Sequence, residues 1–168
     1  MALVDEFVHY AGGSENFPLF PPVNTDAAIQ SLKFFFRLEE VRWRAMSELS
    51  QEMKLLDRSI VTLAAFEYAA APFSGISILD EAEAMMDAHR MWLPDLIVLL
   101  RVTEKTITRR SQTCTEIRGK LFVNEEFNRR FMEYLLRAPY RFGVKAKIVD
   151  AELEIHNVAE ALYQILGI

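Results

Sequence analysis

Met53-Lys54-Leu55-Leu56-Asp57-Arg58-Ser59 is a brief apolar stretch that ends in an acid, an arginine and a hydroxyl. Residues 53–57 read as a short strand, and the apolar pattern from Ser59 to about residue 70 reads as a helix that follows at once. Where a strand hands over directly to a helix, its last side chains stand at the carboxyl edge of the sheet. In open parallel sheets that edge is where ligands bind. A carboxylate beside a guanidinium there suits a hard metal ion and a phosphate group.

Outward from this stretch, strands are expected at 2–6, 96–100 and 144–149. Helices are expected at 25–50, capped by Thr25 or Asp26, at 80–90 from Asp80, at 103–110 from Thr103, at 125–137 and at 155–166. The unbroken run Leu96-Ile97-Val98-Leu99-Leu100 suits a strand covered on both faces. Strands alternating with helices imply right-handed crossovers and a layered α/β fold. Four strand ends then carry polar side chains: Asp5 and Glu6, Asp57 to Ser59, Arg101 with Thr103, and Asp150.

The 168 residues fit one domain, and a composition 51% apolar and 26% charged is ordinary for a globular protein. A net charge of −5 argues against nonspecific nucleic-acid binding, which leaves a basic footprint. No apolar run approaches a membrane span, and the start lacks the features of a signal peptide. Cys114 is the sole cysteine, so no intrachain disulfide can form and a cytoplasmic location is expected. His9, His89 and His156 are far apart and show no zinc spacing. Gly12-Gly13-Ser14 lacks a following lysine and runs into Pro18, Pro21 and Pro22, so it does not read as a phosphate loop.

The chain resembles the thymidylate kinase and deoxynucleoside kinase group of P-loop kinases along essentially its whole length. Leu56-Asp57-Arg58-Ser59 is similar to that group's D/E-R-S strand end. Leu93-Pro94-Asp95-Leu96 through Thr103-Glu104 resembles its P-D-x-x-I-Y-L strand and turn, and Arg109-Arg110 the arginines that open its lid. The segment from Asn124 through Leu135 resembles the helix after the lid, and Ile148-Val149-Asp150-Ala151 the closing strand. The resemblance implies one kinase-like domain over 1–168, three-layered α/β/α with a mainly parallel sheet, and a lid-like segment at about 109–122.

It also implies roles. Glu6, with Asp5 as a rival, would take the proton of the attacking hydroxyl. Asp57 would stand near Mg²⁺, and Arg58 would hold Glu6 or the transferred phosphoryl group. Arg42 or Arg44 would touch the acceptor, with Phe66 in the pocket wall, and Arg109, Arg110 and Arg118 would close over the phosphates of ATP. The acceptor would be a nucleoside, a nucleoside monophosphate or a similar small hydroxyl compound. The helix 25–50 has apolar surface enough for a homodimer face as well as for core burial.

No G-x-x-x-x-G-K-[ST] loop occurs in the chain. In the resembled group that loop follows the first strand, which lies in the middle of a sheet ordered 2-3-1-4-5. The expectation is therefore a kinase-like fold lacking its first, central strand, from a longer enzyme, and inactive as the chain stands. The alternative is a kinase-derived, non-catalytic interaction or regulatory module.

Overall fold

The computed structural model describes residues 1–112 and 121–168, apart from the side chains of Arg110 and Ser111. The lid-like segment, with Arg118, Cys114 and the side chain of Arg110, lies largely outside the described residues. The chain divides into two compact units, Met1–Leu93 and Pro94–Ile168.

In the first unit, β1 (Ala2–Val4) and β2 (Lys54–Leu56) pair in parallel, with Val4 opposite Leu56. Both strands are shorter than the sequence suggests. The polar residues that follow each one leave the ladder and turn into a helix. After β1 comes α1 (Phe7–Tyr10), a single helical turn that the sequence pattern does not announce. Helix α2 (Thr25–Ser47) begins one residue later than its cap, and that cap is Asn24 rather than Thr25 or Asp26. Asn24 Oδ1 accepts the Ala27 N–H at 2.8 Å.

Helix α3 (Ile60–Ser74) starts where the Ser59 N–H donates to Thr62 Oγ1 at 3.1 Å. It is faced by α2 and by α4 (Leu79–Ala88). Small residues Ala64, Ala65, Ala69 and Ala70 are buried along α3, which lets its neighbours approach closely. Phe7, Leu32, Phe36, Ile60, Val61, Ile78 and Met86 complete this core.

In the second unit, β3 (Leu96–Arg101) and β4 (Lys145–Asp150) pair in parallel, with Arg101 opposite Asp150. Between them run α5 (Glu104–Ser111) and α6 (Glu125–Phe142). Asn124 Oδ1 caps α6 by accepting the Phe127 N–H at 3.0 Å. Helix α7 (Ile155–Leu166) closes the chain and packs on β4. Ile97, Leu99, Phe127, Tyr134, Leu135, Phe142 and Val149 form this core. Ile97 and Leu99 are buried and Leu96 and Val98 half-buried, and only towards the carboxyl end does the strand open, with Leu100 53% exposed.

The protein is thus a mixed helix–strand fold whose strands, among the described residues, pair in parallel in two ladders of two. No helix among the described residues is long and apolar enough to cross a membrane.

Candidate functional site

Parallel pairing brings the carboxyl ends of β1 and β2 side by side, so the residues that follow each strand meet. Glu6 Oε1 lies 3.1 Å from Arg58 Nε, with both side chains partly open to solvent. Glu6 is extended and stands immediately before α1, while its neighbour Phe7 is buried. The chain therefore anchors on Phe7 and leaves the Glu6 carboxylate at the edge. Asp5 points elsewhere, with its carboxylate 3.7 Å from His9.

On the facing turn, Arg58 has φ +67°, a left-handed conformation uncommon for a residue with a Cβ. Such geometry persists only where its surroundings over-determine it, and it clusters at functional sites. Ser59 follows as the helix cap and is almost wholly buried. Asp57 is exposed at the same strand end.

Behind this turn sits Arg42 of α2, 0% exposed together with Glu39 one turn earlier. Arg42 Nη1 donates to Glu39 Oε2 at 2.8 Å, and Nη2 reaches the carbonyls of Asp57 and Arg58 at 3.2 and 3.4 Å. Its Cζ lies 4.4 Å from the centroid of the Phe7 ring. Burial pushes the Glu39 carboxyl above the usual carboxylate range, outweighing the opposite pull of Arg42. Arg44, by contrast, is well exposed and pairs with Glu40 on the surface of α2.

Phe66 lies two turns into α3, edge-on to Phe20 with ring centroids 5.4 Å apart. Beside it is Glu67, half-buried, whose carboxyl is pushed up to about 7 by burial. The sequence reading passed over Glu67. Its signal was available, since it is the only charged residue in the fifteen of α3.

In the second unit, the ends of β3 and β4 line a cleft of about 610 Å³ whose walls include Arg101, Thr103, Lys105, Asp150 and Glu152. Glu152, also missed from sequence, occupies the amino end of α5. Its Oε1 accepts the Thr103 N–H at 2.6 Å and the Thr103 hydroxyl at 3.0 Å, and its Oε2 accepts the Thr106 hydroxyl at 2.9 Å. The Thr103 backbone bond, then the Thr106 hydroxyl, hold this carboxyl below the ordinary range. Arg109 is exposed on the same helix and adds a weaker charge effect on Glu152.

Among the described residues no three His, Cys, Asp or Glu side chains gather to hold a metal ion. Mg²⁺ does not require such a cage, because it is commonly held by one or two carboxylates together with substrate phosphates and water. Asp57, exposed at the strand end, fits that single-carboxylate role.

No family model matches the chain, and no curated protein matches it. Among solved structures, deoxyadenosine kinase from M. mycoides with bound dATP matches with a TM-score of 0.64. The match covers 99% of this chain and 86% of that one at 16% identity. The fold is similar to a P-loop kinase fold. At this identity the likeness is one of fold.

Proposed function

We propose that the strand end carrying Glu6, Asp57 and Arg58 is the acceptor side of a nucleoside- or nucleotide-phosphorylating centre. The observation that carries this reading is the 3.1 Å contact between Glu6 and Arg58 at adjacent parallel strand ends. It is supported by the fold's likeness to a deoxyadenosine kinase, a protein described with bound dATP.

In this reading an acceptor hydroxyl attacks the terminal phosphorus of ATP, a P–O bond forms, and the bond to the bridging oxygen of the diphosphate breaks. Glu6 Oε takes the hydroxyl proton, which requires hydrogen-bond reach before any question of pKa. Arg58 holds the carboxylate in place in the free protein and turns to the phosphoryl oxygens as charge builds there. Asp57 would hold Mg²⁺, which neutralises phosphate charge when bound. Phe66 supplies an apolar wall for the acceptor. No G-x-x-x-x-G-K-[ST] lies within these 168 residues, so the roles assigned here concern the acceptor and the carboxylates.

Binding of the acceptor tests this without requiring turnover. Calorimetric titration with deoxyadenosine, deoxycytidine, thymidine and thymidine monophosphate should show one of them bound. Glu6→Gln and Arg58→Ala should each weaken that binding roughly tenfold, about 1.4 kcal/mol. Failure to bind any of the four would overturn the reading, as would binding indifferent to both substitutions.

A further inference from the structure

We infer that Arg42 is a positioning residue, which fixes the conformation of Arg58 and thereby sets the Glu6–Arg58 pair. The salt bridge to Glu39 does not account for its burial. An Arg and a Glu one turn apart on a helix can pair at the surface, where their charges cost little. Taking both to 0% exposure is expensive, and a buried ion pair is weak evidence for stability. Glu39 Oε1 and Arg42 Nε are even left without hydrogen-bond partners among the described residues. What the burial achieves lies on the other side of the guanidinium.

Nη2 is directed at two successive carbonyls, those of Asp57 and Arg58. The first belongs to the peptide plane before the Arg58 Cα, and the second to the plane after it. One amino group therefore restrains both planes whose rotation defines φ and ψ of Arg58. That residue is the one non-glycine position in the described residues with positive φ. The Cζ of the same guanidinium lies over the ring of Phe7, the residue that follows Glu6. Arg42 thus touches the backbone of Arg58 itself and the side chain of Phe7, the residue next to Glu6. A planar fork can span a carboxylate, two carbonyls and a ring at once, and an ammonium cannot.

The inference leans on the phosphorylating reading only for what the pair does. The positioning itself is measured with no ligand present. In the double variant Glu39→Leu, Arg42→Met, the buried pair is replaced by apolar groups of similar reach, an exchange that cores commonly accept. Circular dichroism should show the fold retained. The strong intraresidue HN–Hα NOE that marks positive φ at Arg58 should disappear, together with NOEs from the Arg58 side chain to Glu6. Should that core not fold, Arg42→Lys keeps a charge beside Glu39 but loses the fork, and the same loss at Arg58 is expected.

Arg58→Gly gives a second readout. Glycine adopts φ +67° without a Cβ penalty, so it should raise the denaturation midpoint of the parent and lose that gain once Arg42 is replaced. A folded variant that keeps the Arg58 NOE pattern and the glycine gain would overturn the inference. A protein that binds no nucleoside yet shows these losses would refute the phosphorylating reading and leave the positioning role standing.

Discussion

At the residue scale, the telling groups are carboxyls in different surroundings. Glu6 faces a guanidinium at an open strand end, whereas Glu67 is desolvated on an otherwise uncharged helix. Folding raises the Glu67 carboxyl from near 4.5 to about 7, so the native state binds the extra proton. Its contribution is fully present below about pH 4.5 and is lost as pH rises through about 7. The loss is on the order of 3 kcal/mol. Glu39 is shifted in the same direction, and Glu152 in the opposite one. Urea denaturation of Glu67→Gln between pH 5 and 8 isolates the term. The parent should weaken across that range, and the variant should weaken less, the remainder belonging to groups such as Glu39. Parallel profiles would show that Glu67 is not the titrating group.

The same scale shows where sequence reading stops. Glu6 and Arg58 were legible because strand ends in a parallel arrangement converge whatever their neighbours are. Glu39 and Arg42 were not, because Glu39-Glu40-Val41-Arg42-Trp43-Arg44 carries four charges within six residues. Nothing in that pattern says which acid and which arginine turn inward. Partners 15 and 16 residues away, the carbonyls of Asp57 and Arg58, decide it.

At the scale of the element, most helices lie where periodicity puts them, and their ends carry the errors. Two of them are underestimated for one reason. Helix α3 passes through Pro72 to Ser74, and α6 passes through Pro139 to Phe142, both beyond the stops expected near 70 and 137. A proline in the last turn loses only one hydrogen bond of its own, and a left-handed glycine then closes the helix. Gly75 at φ +70° and Gly143 at φ +71° are those closures. Amino-terminal caps matter as much. Asn24→Ala removes the acceptor for the Ala27 N–H and should cost about 1 kcal/mol in thermal or urea unfolding. Thr25→Ala and Asp26→Ala, at the caps suggested by sequence, should cost less. An Asn24→Ala variant as stable as the parent would place the cap elsewhere.

At the scale of the whole molecule, alternation of strand and helix was enough to indicate parallel pairing. It did not indicate that the strands would form two ladders within two compact units, since register and partner choice depend on contacts far apart in the chain. The likeness to a deoxyadenosine kinase is one of fold, and the phosphorylating centre proposed at the strand ends is built from Glu6, Asp57 and Arg58. A ¹⁵N-labelled sample titrated with a deoxynucleoside tests that centre most directly. The account predicts the largest backbone shifts at Glu6, Phe7, Asp57, Arg58 and Ser59, with smaller ones at Phe66 and Glu67. Shifts that bypass the two strand ends, or a spectrum unchanged at saturating nucleoside, would contradict it.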